Sequence, residues 1–205
     1  SASQKLEMAQ KMLKESDGTK DDAVARFVLL RVARDIATQH GDLSTAFESI
    51  DRIAESYEVD GLSMKIDAAK TAVKAIKTPP DHQRSLERLL PLVDSLVESE
   101  QYDAAKSLGA MALSNARGTR DASTVKAVIA RLKEIEEIIT AYQKVEEYAS
   151  ILKNKATDPT ANLELGKFYC FVRGDWDRGV PMLALGSDAQ LSKLAIAEIQ
   201  ESVDN

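Results

Sequence analysis

Residues 168–188 read FYCFVRGDWDRGVPMLALGSD, and the reading of this stretch decides the fold. Four rings, Phe168, Tyr169, Phe171 and Trp176, crowd around Arg173-Gly174-Asp175 in a chain that is only 5% aromatic. A ligand cage, an adhesion tripeptide or the bend between two packed helices would each gather them. The bend accounts for the most residues. Gly174 tolerates the positive φ that stops a helix, and Asp175 is suited to cap the next one. An Arg-Gly-Asp adhesion signal needs an exposed flexible loop, whereas this tripeptide falls at a tight corner. The rings recur at helical spacing, which reads as core packing, and Cys170 among them reads as a buried, inert thiol.

The same corner occurs elsewhere. HGDLSTA at 40–46 and SEQYDAA at 99–105 line up with RGDWDRG at 173–179. Each has a helix terminator, a polar capping position, a bulky apolar residue and, three positions later, a small one. The bulky residues are Leu43, Tyr102 and Trp176, expected to be buried plugs at the apices of three antiparallel helix pairs. The small ones are Ala46, Ala105 and Gly179, where a larger side chain would hold the two backbones apart.

Outward from these corners, helical periodicity dominates and the alternation expected of strands is missing. Amphipathic segments cover about 5–15, 21–40, 43–57, 61–76, 82–100, 102–116, 121–153, 162–172, 175–185 and 189–203. Pro91 should kink its helix or mark an irregular turn, because it has no N–H to donate. In the longest segment Val125, Val128, Leu132, Ile135, Ile139, Tyr142, Val145, Ala149 and Leu152 recur at steps of three and four, a coiled-coil-like seam. This is the expected spine of an all-α fold of stacked antiparallel helical hairpins. The chain is expected to be a single elongated helical domain over 1–205, with possible sub-units 1–78, 81–155 and 158–205.

Two resemblances follow. Gly174-Asp175-Trp176-Asp177-Arg178-Gly179 resembles the opening of the second helix of tetratricopeptide repeats, as do the 41–46 and 100–105 corners. The Leu165-Gly166 pair, however, sits one residue out of register with that family's first helix, and the corners are spaced too far apart for a regular array. Longer stretches, ARFVLLRVARDIATQHGD, SIDRIAESYEVD and ANLELGKFYCFVRGDWDRGVPMLALGSD, look like a family of uncharacterised helical domains abundant in planctomycete bacteria. That resemblance implies a piece of a longer, multi-module chain that is exported or held in the cell envelope. It implies no activity. The chain opens at Ser1, which fits either a removed leader or a trimmed chain.

Composition narrows the function. A net charge of −6 and the lack of any Lys/Arg block argue against nucleic acid, which needs a concentrated basic surface. No apolar run approaches the length that spans a bilayer. One cysteine and two histidines, His40 and His82, are too few for an ordinary zinc site. Both histidines lie at helix ends, where a structural or solvated role is expected. Glu134, Glu136, Glu137, Glu146 and Glu147 interleave with the seam and read as a solvated face, with no phosphate loop, dinucleotide fingerprint or nucleophile elbow nearby. No catalytic residue, metal or cofactor is expected. The expected function is a non-enzymatic interaction or spacer module for a protein, a peptide or a neighbouring domain, with Arg31 and Arg34 as candidate partner contacts. The alternatives are self-association through the 125–152 seam, giving a homodimer, and an enzyme of unrecognised type.

Overall fold

Aspartate sets where most helices begin. The computed structural model describes residues 1–19 and 21–203. In it, the side chains of Asp22, Asp42, Asp60, Asp121, Asp158, Asp175 and Asp188 each accept a backbone N–H from the first turn of the helix that follows. Four N–H groups at each helix start lack an intrahelical acceptor, and a carboxylate answers one of them while matching the positive end of the helix dipole.

The resulting fold is all-α, with no strand among the described residues. Its helices are α1 (Ala2–Glu15), α2 (Ala23–Gln39), α3 (Leu43–Ser56), α4 (Gly61–Ala72), α5 (Pro79–Glu98), α6 (Tyr102–Gly118), α7 (Ala122–Asn154), α8 (Pro159–Lys167), α9 (Trp176–Ala184) and α10 (Ala189–Val203). Pro91 lies inside an unbroken α5, so of the two outcomes expected there, a kink or an irregular turn, the irregular turn does not form. The helix runs on through the one bond that proline removes. The Pro91 carbonyl still accepts from the Ser95 hydroxyl at 3.0 Å.

Three of the corners close alike. Gly41, Glu100 and Gly174 have φ of +79°, +59° and +68°. The next N–H folds back in each: Asp42 donates to the Ala37 carbonyl at 2.9 Å, Gln101 to Leu96 at 2.8 Å and Asp175 to Tyr169 at 2.8 Å. The first two span five residues, as a Schellman closure does. The third spans six, because the end of its first helix, Phe168–Arg173, is a π-helical segment that holds one extra residue.

The chain divides into two compact units, Ser1–Leu132 and Lys133–Asn205. The boundary falls inside α7, where no sequence signal marks it, because each half of that helix packs within its own unit. In the first unit α1 to α4 pack in succession, α5 pairs with α6, and helices one further apart (α1 and α3, α2 and α4, α3 and α5, α4 and α6) also touch. Its core joins Leu13, Leu30, Ala33 and Ile53 with Met12, Phe27, Tyr57 and Met64. At the α6–α7 approach, a Cβ on Gly109 would lie 2.8 Å from Leu132 Cδ2. In the second unit Leu165, Phe168 and Tyr169 pack on Tyr142, Val145, Ala149 and Leu152 of α7. Within this unit the seam is therefore half-buried against the chain's own helices.

Two predictions follow from the helix ends. Hydroxyl donors, Thr124 first and then Ser123, hold the Asp121 carboxyl far below the usual aspartate range. The Ser63 hydroxyl lowers Asp60, and the Ala161 backbone N–H and Lys155 lower Asp158. Folded values below the unfolded ones mean stabilisation that is present above about pH 4 and lost as the pH falls through the folded values. The urea midpoint should drop between pH 6 and pH 3, and Asp121→Asn, which keeps an acceptor without a titrating group, should shrink that drop. Arg120, at φ +59° just ahead of Asp121, sits in a region that suits glycine. Arg120→Gly should raise the unfolding free energy by about 0.5–1 kcal/mol in a denaturant titration.

Candidate functional site

The Phe168–Gly179 corner of the second unit separates its rings into two sets. Phe168 and Tyr169 are buried, with centroids 5.2 Å apart, and Tyr142 of α7 lies 5.6 Å from Phe168. Phe171 and Trp176 are 58% and 54% exposed and meet edge to face at 5.8 Å and 83°. Val172 beside them is also exposed. The corner thus presents a paired aromatic surface outward while its other rings form core.

Trp176 therefore does not plug this corner, a correction to the sequence reading. Leu43 and Tyr102, first residues of their helices like Trp176, are 2% and 9% exposed. The difference lies in what already fills the third corner. The π turn brings Cys170 inward, where a Cβ built on Gly179 would overlap its Sγ and come within 2.8 Å of its backbone N. The Arg178 guanidinium lies 3.9 Å from the Tyr169 ring centroid and donates to the Tyr169 hydroxyl at 2.6 Å, closing the remaining space. With a methyl-sized gap already filled by sulfur, an indole is left outside. The extra residue is invisible to a pattern that counts forward from the glycine.

The fixed geometry around the exposed pair comes from backbone. Asp175 accepts the Arg178 N–H at 3.1 Å, so both Gly174 and Asp175 of the Arg-Gly-Asp tripeptide act in the turn itself. Burial, and then the negative charge of Asp175, push the Cys170 thiol above its ordinary pKa. A thiol in that state is a poor nucleophile.

The other candidates fall elsewhere. Arg31 is exposed on α2. Arg34 is bonded to Asp35 at 2.6 Å, at the edge of a hollow of about 300 Å³ whose charged walls are Arg34, Asp35 and Asp67. In this structure its guanidinium is therefore engaged by a carboxylate of its own helix. His40 ends α2, and its backbone N–H donates to the carbonyls of Ile36 and Ala37. His82 pairs through Nδ1 with Asn115 Oδ1 at 2.9 Å and lies flat where a Gly118 Cβ would be. Glu134, Glu136, Glu137, Glu146 and Glu147 are exposed along α7. Among the described residues, no group of three or more His, Cys, Asp or Glu side chains is placed to hold a metal ion, and no helix is long and apolar enough to cross a membrane.

The signal that separates Phe171 from its neighbours was present in the sequence only as one surplus residue between Gly166 and Gly174. No protein-family model, curated protein or solved structure matches this chain.

The close packing of Gly179 generates a sharp expectation. Gly179→Ala should destabilise the chain by about 2 kcal/mol or more, because the added methyl meets backbone as well as the flexible thiol. Chemical denaturation of the two proteins, followed by far-ultraviolet circular dichroism, measures it. An unchanged midpoint would show that the corner opens freely.

Proposed function

We propose that this chain is a non-enzymatic interaction module that takes a protein or peptide partner on the exposed aromatic corner of its second unit. The observation that carries the reading is the Phe171–Trp176 pair, two large rings half out in water on a turn fixed by backbone hydrogen bonds. Such rings lose little conformational freedom on binding and bury much apolar area, which is why aromatic residues dominate binding hot spots. A folded chain gains nothing in stability from leaving them exposed.

The helical-hairpin character supports the same reading. In the first unit α1 to α4 touch in succession and each also touches the helix next but one, the pattern of stacked hairpins. The Leu165-Gly166 pair, one residue early for a tetratricopeptide corner, is followed by the π segment that takes up one residue. Removing that residue in thought restores the family's spacing, so the departure is local. The packing of Tyr142, Val145, Ala149 and Leu152 of α7 against the chain's own helices favours this reading over self-association through the 125–152 seam. The exported, multi-module setting implied by the planctomycete resemblance belongs to this proposal as its context.

The test uses Trp176, the chain's sole tryptophan, as reporter. A random-peptide display library is panned on the whole chain and counter-selected on the Phe171→Ser, Trp176→Ser double variant. The expected result is a set of peptides that shift the Trp176 emission to the blue and bind the double variant at least about tenfold more weakly by calorimetry. Selection of no peptide that distinguishes the two proteins overturns the proposal.

A further inference from the structure

The sequence holds no Lys/Arg block, but folding assembles one at one end of the first unit. The His82 ring lies where a Gly118 Cβ would be and pairs with Asn115 at 2.9 Å, so the α4–α5 corner and the α6–α7 corner are neighbours. Helices α4 and α6 also touch. Residues 70–84 and 115–126, which make these two corners, carry seven Lys and Arg against two Asp in a chain of net charge −6.

The two acids are engaged and most of the cations are not. Asp81 accepts from the Thr78 hydroxyl and from Arg84. Asp121 accepts from the N–H and hydroxyl groups of Ser123 and Thr124. Lys70, Lys74, Lys77, Arg117 and Arg120 are exposed, and none has an ion-pair partner among the described residues. Like charges gathered without counter-charge repel one another, so the patch gives the fold no stability. Arg120 is a second, separate observation. Its φ of +59° is a conformation that glycine adopts freely and that a side chain opposes. Gly41 and Gly174 take the matching place at two other corners, and Glu100, the other non-glycine residue in this conformation, has a partner within the chain. An arginine held in an unfavourable conformation with its charge in water gains nothing within the fold.

We propose that this end of the first unit docks an acidic segment of a protein partner on Lys74, Lys77, Arg117 and Arg120. Complementary charge then relieves the repulsion among the cations and gives Arg120 its use. A protein is favoured over an anionic membrane because no exposed large apolar side chain lies among these cations to enter a bilayer. It is favoured over nucleic acid because the two segments carry no Phe, Trp or Tyr on which a base could stack. Asp81 and Asp121 also interrupt the patch, which spaced carboxylates on a peptide can avoid and a continuous phosphate backbone cannot. The surface lies wholly in the first unit and does not rest on the aromatic corner of the second.

Fluorescence anisotropy of a labelled peptide of alternating Glu and Gly tests it on the full chain at low salt, with oligothymidylate and phosphatidylserine vesicles as phosphate-bearing competitors. The peptide should bind despite the chain's net negative charge, and more weakly as salt is added. The Lys74→Gln, Lys77→Gln double variant should bind about tenfold more weakly. Arg120→Gly should also bind more weakly while unfolding at a higher denaturant concentration, a split that a purely structural role for Arg120 does not produce. The proposal is overturned if the peptide does not bind, or if either competitor binds the same surface more tightly than the peptide. It also fails if both variants bind like wild type.

Discussion

The helix start is the constraint from which the rest of this structure follows. A short helix leaves a large share of its backbone N–H groups without acceptors, and a chain of many helices meets that cost at every corner. Here an aspartate answers it again and again, preceded at Asp42, Asp121 and Asp175 by a residue at positive φ that reverses the chain. With chain direction fixed by backbone, side chains need only separate the helices by the right distance. That distance is short wherever Ala46, Ala105 or Gly179 follows one turn later, and all three are buried.

This division of labour explains what could be read from residues alone. Caps and stops depend on a few neighbours in the chain, so the helices, their order and the αL corners were legible, Gly41-Asp42 and Gly174-Asp175 above all. Leu43 and Tyr102 followed because nothing intervenes between the corner and the space they fill. Trp176 did not follow, because its position depends on the hydrogen-bond spacing of the previous helix. A π turn shifts every residue after it by one without leaving a mark in composition. No irregular turn forms at Pro91, for a related reason. A single missing N–H costs one bond, and a helix held by the buried Leu89, Leu92, Val93 and Leu96 can bear that.

The candidate sites divide along the same line. Which carboxylate claims a guanidinium is decided by proximity, and for Arg34 it is Asp35, the adjacent residue. The division into two units inside α7 was equally hidden. Its apolar seam continues without interruption while the elements covering it change from α6 at Leu132 to α8 and the π segment beyond Tyr142.

The burial of Cys170 has a consequence for motion. Its sulfur is sealed against Gly179 with no space for a reagent, and it is the chain's single thiol. Alkylation of the native protein must wait for α9 to lift away from the π turn. The rate of covalent modification therefore records how often this one joint breathes, separately from the unfolding of everything else.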